Sequence, residues 1–355
     1  MIVDPARTSS ALLDWFASHK RSLPWRSGYS PYAVYISEMM LQQTQMTRGI
    51  EYFKRWMERF PTIFDVAAAS EEDIFACWEG LGYYGRARSL HKAAGIICGE
   101  HKGRIPDSPA VLETLPGVGK YTANAIAAIA YEQAVVAVDT NFVRVLSRLL
   151  DLPPAGLKQA VEDAALQMLP KGKSRDFNQA VMEFGALVCV KKPQCLKQDH
   201  ANASLDLCPM AEFCLAFRNG TVPIRPIQPA AKKMQHVHAA FVIAEDPHGQ
   251  ILLKKRAGQK LWKNLWDLPG FEKPCRYESP FSEDYVAKQL KYLHDKPQYL
   301  GTVRYAYTNH KAAADYYRAS IDEAVPLEVF EWSDPECVPM PAHHRKALAL
   351  FRRRQ

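Results

Sequence analysis

The chain has 355 residues, 48% hydrophobic and 23% charged, with a net charge of +7 and a pI near 8.9. That composition excludes a disordered, fibrous or disulfide-scaffold protein, and the length suits two domains better than one. The mild basicity is compatible with a nucleic-acid partner but too common to point to one. The start, Met1-Ile-Val-Asp-Pro5, lacks a charged region ahead of an apolar stretch, and no apolar run reaches membrane length. We therefore expect a soluble intracellular protein with no membrane association.

In chain order, residues 8–225 read as almost wholly helical. Leu12, Leu13, Trp15 and Phe16 open an amphipathic helix that Leu23-Pro24-Trp25-Arg26 ends. Pro31 sits well in the first turn of a second helix, running through Met40 toward Gln45 and buried through Ala33, Ile36, Met40 and Leu41. Further helices are expected at 47–60, 71–81, 87–101, 108–115, 121–130, 141–150, 157–169 and 174–188. Residues 222–234 then hold three prolines and no helical period, and we place a linker at 226–236. Beyond it, 237–244 and 250–256 look like two strands around the Asp246-Pro-His-Gly249 turn. Strands at 299–307, 314–321 and 328–332 and a helix at 282–293 make the second domain, 237–355, α+β.

Three features carry chemistry. Glu38 lies in an apolar run, Val34-Tyr-Ile36 before it and Met39-Met-Leu41 after, where burial would disfavour its charged form and let it serve as a general acid. The plain alternative is a glutamate on a solvated helix face. Leu115-Pro-Gly-Val-Gly119 reads as a hairpin between helices, whose backbone N–H groups at a helix N-terminus make an anion site fit for a DNA phosphate. Asp139, in Val138-Asp-Thr-Asn141, then opens the next helix; an ordinary C-cap turn followed by an N-capping aspartate would look the same. Four of the eight cysteines crowd into 189–214, which suggests metal, yet the C-x2–4-C pair usual in zinc sites is absent.

Taken together, Ser37-Glu-Met-Met-Leu-Gln-Gln-Thr-Gln45, Gly80-Leu-Gly-Tyr-Tyr-Gly-Arg-Ala-Arg88, Leu115-Pro-Gly-Val-Gly119 and Val138-Asp-Thr-Asn141 resemble the adenine DNA glycosylases of the MutY type. These are helix-hairpin-helix enzymes related to endonuclease III. The resemblance is strong over residues 10–220 and weaker over 237–355. It implies an all-α glycosylase domain at 1–225 with an iron–sulfur module, then an α+β Nudix-like domain. The implied activity is hydrolytic removal of adenine mispaired with 8-oxoguanine or G, by base flipping, in double-stranded DNA and by a monomer.

Residue by residue, Glu38 would protonate adenine at N7, and Asp139 would face the cationic sugar. Asn141 and Glu183 match polar residues of the same pocket, and Arg26 matches one lining the base; for Arg26 and Glu183 a structural salt bridge is an equal alternative. Tyr121 stands where the lyase relatives carry a Schiff-base lysine, which implies a monofunctional enzyme; Lys120 beside it points elsewhere on the helix. Gly117 and Gly119 belong to the phosphate-binding hairpin. Gln43, Thr44, Leu81, Gly82 and Tyr83 match residues that enter the duplex, and of Tyr83 and Tyr84 at least one should be exposed.

Cys189, Cys195, Cys208 and Cys214 would hold a [4Fe–4S] cluster. Their C-x5-C-x12-C-x5-C spacing departs from the family's C-x6-C-x2-C-x5-C by one residue fewer and a polar insertion, in which His200 reads as a solvated loop residue. Leu261-Trp-Lys-Asn-Leu-Trp-Asp-Leu-Pro-Gly270 is similar to Nudix-like domains, but no Arg-Glu-x-x-Glu-Glu box follows, so nucleotide hydrolysis is not expected. The family's Phe-Ser-His recognition loop corresponds to Tyr307-Thr308-Asn309-His310. An endonuclease III-like lyase is opposed by Tyr121 and the second domain, and a non-catalytic mismatch binder by the presence of both Glu38 and Asp139.

Overall fold

The computed structural model describes residues 4–197, 208–226, 233–256, 262, 264–307, 309–321, 330–335 and 337–351. It divides into two compact units, Met1–Ala68 with Ser89–Pro229, and Ala69–Arg88 with Ala230–Gln355. The unit boundary after Pro229 falls inside the expected linker. The segment Ala69–Arg88 is a difference: sequence order places it in the helical domain, whereas its contacts group it with the C-terminal unit.

The helices run α1 Pro5–His19, α2 Pro31–Leu41, α3 Met46–Arg59, α4 Ile63–Ala68, α5 Glu71–Trp78, α6 Gly85–His101, α7 Pro109–Leu112, α8 Lys120–Tyr131, α9 Thr140–Leu149, α10 Leu157–Met168, α11 Ser174–Leu187 and α12 Leu215–Arg218. Each start has a local reason. Asp4 caps α1 by accepting from the N–H groups of Ala6 and Arg7, and Pro5 fills the first turn. Ser70 caps α5, with Glu71, Glu72 and Asp73 in its positive first turn. The second helix stops earlier than its sequence suggests: α2 ends at Leu41, and Thr44 N–H closes a turn onto Leu41 C=O.

At the centre of the first unit lies α11, which packs against α1, α8 and α9. Phe177, Ala180, Val181 and Phe184 meet Leu12 and Phe16 of α1 and Phe142, Val145 and Leu146 of α9 in one buried cluster. Two details of α11 place the segment leading into α9. Asn178, fully buried, accepts from Ala137 N–H at 2.7 Å and donates to Val135 C=O at 2.9 Å, so its amide replaces the partners a strand would supply. Gly185 lets α11 come against the start of α9; a Cβ there would stand 2.6 Å from Asn141 Cβ.

In the second unit, strands β1 Gln235–Ile243, β4 Gly270–Lys273, β5 Gln298–Tyr307 and β6 His310–Arg318 form a mixed sheet ordered β4-β1-β6-β5. Here β1 and β6 are parallel and the other pairs antiparallel. A second sheet, β3-β2-β7, joins β2 Ile251–Lys255 to β3 Trp266–Asp267 and β7 Glu331–Ser333. Both faces of β1 are covered: Phe241 and Ile243 pack with Leu348 of α14 (Ala342–Phe351), and Ala240 and Val242 with Val286 of α13 (Glu283–Gln289). A strand buried on both sides carries a continuous apolar run, which is why it stood out in the sequence.

Short α4, α12, β3 and β4 carry too few residues for a period and were not expected. Nor was α14, whose His343-His344-Arg345-Lys346 interrupts its apolar stripe; His344 is nonetheless buried, bridging Tyr316 and Asp267. The helix α13 is shorter than the expected 282–293, ending where Leu290 N–H caps onto Val286 C=O. Among the described residues no helix is long and apolar enough to cross a membrane.

Candidate active site

A cleft of ≈ 1250 Å³ opens in the helical unit, and ten of the residues singled out above line it. Arg26 comes from the turn after α1, Glu38 from α2, and Gln43 and Thr44 from the turn after it. Gly117 and Gly119 come from the hairpin, Tyr121 from α8, Asp139 and Asn141 from the start of α9, and Glu183 from α11. In the hairpin, Gly117 has φ +80° and packs so closely that a Cβ would lie 2.6 Å from Ser89 Cβ. Gly119 is the N-cap residue of α8.

Asp139 caps a helix, as its plainer sequence reading has it, and also lines the cleft. It is the N-cap of α9, Oδ1 accepting from Phe142 N–H at 2.7 Å, and Oδ2 accepts from Asn141 Nδ2 at 2.6 Å. Burial raises its pKa above the usual carboxylate value, against the lowering effect of these hydrogen bonds and of Arg144. Glu38 is 9% exposed, and burial pushes its carboxyl up to about 7, with Asp139 adding to the rise and a hydrogen bond from Tyr121 opposing it. The phenol of Tyr121 is held neutral, its pKa raised by burial and by both carboxylates. Lys120 is directed to Glu162, 2.7 Å away, and does not line the cleft.

The wall opposite is a charge network. Arg21 donates to Glu183 through its backbone N–H, Nε and Nη2 at 2.8–2.9 Å, and Arg26 donates to Glu183 at 3.1 Å and to Gln179 at 2.8 Å. The salt bridge considered for Arg26 and Glu183 therefore exists, and both partners still face the cleft. Burial opposes ionisation of Glu183, but hydrogen bonds from Arg21 and Arg26 outweigh it and leave the pKa at about 2. Arg21 and Gln179 escaped the sequence reading: Arg21 lies in an irregular turn, 162 residues from its partner. Arg144 was also missed. Its guanidinium donates to Asn141 Oδ1 at 2.7 Å, Gly185 C=O at 2.6 Å and Cys189 C=O at 2.7 Å, so it ties the Asp139 turn to the first cysteine.

Cys189, Cys195, Cys208 and Cys214 line one apolar cavity with Val145, Leu149, Phe184 and Phe217. None is in a disulfide. Burial raises the thiol of Cys195 and pushes those of Cys208 and Cys214 up to about 12. Among the described residues no group of three or more His, Cys, Asp or Glu side chains is placed so as to hold a metal ion. Four thiols lining one cavity match in number the ligands of an iron–sulfur cluster with one cysteine per iron. Residues 198–207, most of the insertion, lie outside the described residues, as does His200.

Residues 36–171 match the model of the HhH-GPD superfamily base excision DNA repair proteins, and 239–350 that of the NUDIX domain. The chain is 31% identical over 270 residues to an adenine DNA glycosylase of Buchnera aphidicola (subsp. Schizaphis graminum), covering 74% of this chain and 75% of that one. It belongs to the adenine DNA glycosylase family. The human adenine DNA glycosylase is 40% identical over 308 residues (73% of this chain, 56% of the human one), and the rat enzyme 40% over 231 (61% and 43%). The chain thus spans about half the length of these mammalian relatives. Among solved structures, a thermostable thymine-DNA glycosylase matches with TM-score 0.54 at 26% identity over 61% of this chain and 97% of that one. An endonuclease III–DNA complex matches with TM-score 0.52 at 23% identity, over 62% of this chain and 99% of that one, a likeness of fold.

Within this family frame, the residues matched to duplex entry divide. Gln43 (φ +58°) and Tyr83 (φ +51°) both adopt the left-handed conformation uncommon for non-glycine residues, a strain that clusters at functional sites. Tyr83 is 45% exposed and Tyr84 only 6%, so the expectation of one exposed tyrosine holds. Leu81, by contrast, is buried, at 7% exposure. Gly82 offers its carbonyl to Trp78 Nε1 and Arg86 Nη2.

In the C-terminal unit, the expected recognition loop is tighter than its sequence suggests. Tyr307 ends β5 and His310 begins β6, paired across the hairpin, so the second strand starts four residues early; its first residues, His-Lys-Ala-Ala, lack an apolar alternation. Tyr307 stacks on His310, ring centroids 4.7 Å apart, and meets Trp262 at 5.3 Å. Asn309 donates to Lys233 C=O at 3.4 Å. Thr308 lies outside the described residues.

Glu183 links the cleft to acid stability. Its folded pKa of about 2 lies below the 4.5 of an unperturbed glutamate, so its contribution is complete above pH 4.5 and is lost as pH falls through 2. We expect Glu183→Gln to lose roughly 2 kcal/mol at neutral pH, with a shallower pH dependence between 4.5 and 2, measured by urea unfolding across that range.

Proposed function

We propose that this protein is a monofunctional adenine DNA glycosylase, acting as a monomer inside the cell on adenine opposite 8-oxoguanine or G in duplex DNA. One observation carries the reading: a carboxyl that holds its proton near neutrality, Glu38, shares a cleft with a hydrogen-bonded carboxylate, Asp139, and with Tyr121 in place of an amine. The names of the relatives support the adenine substrate.

The chemistry follows from these groups. The extruded adenine enters the cleft with its edge toward the wall of Arg21, Arg26, Gln179 and Glu183, whose fixed donors and acceptors orient it. Glu38 gives its proton to N7, so the electron pair of the breaking N-glycosidic bond leaves on a neutral base. Asp139, held by Asn141 and Phe142 N–H, faces the developing sugar cation and stabilises it without reorganising. Water then adds at the anomeric carbon and returns a proton to a carboxylate. Tyr121 hydrogen-bonds Glu38 and, as a phenol, forms no Schiff base, so the strand stays intact.

Cys189, Cys195, Cys208 and Cys214 would hold a [4Fe–4S] cluster, whose charge would keep the buried thiols ionised and fix the loop bearing Lys191, which lines the cleft. Through Arg144 that loop bears on Asn141.

The deciding experiment is single-turnover adenine release from duplexes carrying A opposite 8-oxoguanine, G or C. The 8-oxoguanine duplex should react fastest, with Asn309 and its hairpin supplying the donor and acceptor its C8 carbonyl and N7–H require. No release from any duplex would overturn the reading. Asp139→Asn and Glu38→Gln should each keep duplex binding while the release rate falls at least about a hundredfold. Because Glu38 must be protonated and Asp139 ionised, the wild-type rate should fall as pH rises through about 7, and fall again in acid where Asp139 takes a proton; a flat profile from pH 6 to 8 would oppose this assignment.

Wild-type protein should leave strands unnicked until alkali is added, whereas Tyr121→Lys should nick them and be trapped by borohydride. Purified protein should be brown and contain about four irons per chain, with a Cys208→Ala variant losing iron and thermal stability together; stoichiometric zinc with full activity would count against the cluster.

A further inference from the structure

The turn bearing Tyr83 belongs to the C-terminal unit, and the fastening is ionic. From α14, Arg345 Nε donates to Glu79 Oε1 at 2.5 Å and Nη2 to Oε2 at 3.2 Å, a bidentate pair whose side chains are only about a quarter exposed. Glu79 is the C-cap residue of α5, and the next residues are the strained turn, Gly80 (φ +95°), Gly82 (φ +74°) and Tyr83 (φ +51°). Arg345 also donates to Val338 C=O at 2.5 Å and to Pro335 C=O, so its guanidinium is fixed before it meets Glu79. Two weaker ties support the other end of α5: Asn264 Nδ2 donates to Glu71 at 2.9 Å, and Lys255 lies 3.6 Å from Glu72. Trp78 and Arg86 both donate to Gly82 C=O, and the Arg86 guanidinium lies 5.7 Å from the Tyr83 ring centre.

We propose that the Glu79–Arg345 pair is a positioning device that makes Tyr83 part of the recognition body, so the wedge and the β5–β6 hairpin engage the strand opposite adenine as one rigid piece. Tyr83, the non-glycine left-handed residue of the turn, sits above its relaxed state, and a fixed point at Glu79 removes the freedom through which that strain would escape under a stacking load. Identity of the opposite base, sensed by the hairpin, is thereby coupled to wedge insertion. Substrate choice then depends on a salt bridge that touches no DNA.

This rests on the duplex-binding reading above, and the test separates the two. The probe is an A:8-oxoguanine or A:G duplex with 2-aminopurine beside the orphan base, whose fluorescence rises when a wedge unstacks it, followed in parallel with single-turnover adenine release. Glu79→Arg should lower the fluorescence rise at saturating protein and cut the preference for 8-oxoguanine over G about fivefold, the scale of one partly buried ion pair, with the rate on A:G little changed. The charge-swapped double variant Glu79→Arg, Arg345→Glu should restore both signals. Glu79→Gln carries the same comparison if the charge reversal prevents folding, judged by thermal melting. Wild-type fluorescence and preference in a folded Glu79 variant, or failure of the swap to restore them, overturns the proposal. If wild-type protein raises the fluorescence but releases no adenine, the enzymatic reading fails and the coupling stands.

Discussion

The carboxylate of Asp139 is bound by the same backbone N–H that any helix-capping aspartate uses, and the rest of the cleft is arranged around that bond. A cap is rigid because it satisfies an orphan donor of the first turn. Here it leaves Oδ2 to Asn141 and fixes both oxygens. Asn178 holds the approach to the cap, Gly185 clears space for Asn141, and Arg144 joins Asn141 to the segment of Cys189. Loss of any one of these would leave the carboxylate present but shift its oxygens.

Three carboxylates border this cleft, and their surroundings make them chemically different. Glu38 meets apolar side chains and a phenol, so it keeps its proton to about pH 7. Glu183 meets two guanidinium groups and is ionised down to about pH 2. Asp139 lies between, hydrogen-bonded yet buried. The difference in charge among the three therefore comes from partners, not from residue type, since a glutamate stands at both extremes.

Strain is placed at the protein's edges in the same economical way. Gln43 and Tyr83 take the left-handed conformation in turns that follow buried helices, α2 and α5, whose cores are too well packed to yield. In the C-terminal unit β1 is buried on both faces, which gives the β5–β6 hairpin and α14 a stiff platform. The partly buried pair of Arg345 with Glu79 springs from α14 on this platform.

Much of this was legible in the sequence by itself. The apolar run around Glu38, the hairpin glycines, the spacing to Asp139 and the four clustered cysteines are local patterns, and local patterns survive without a fold. The tyrosine at 121 and the missing Nudix box were informative for the same reason. What only tertiary structure decided depends on residues distant in the chain. Arg21 joins one wall of the cleft through Glu183 and Gln179 joins it through Arg26, Arg144 bridges two segments, and Leu81 is buried. Residues 69–88 read as one more helical stretch, yet their charges are answered by Asn264 and Arg345, nearly two hundred and more residues away. Sequence periodicity records which face of an element is buried; it does not record which partner buries it, and here the partners set each carboxylate's charge and the place of residues 69–88.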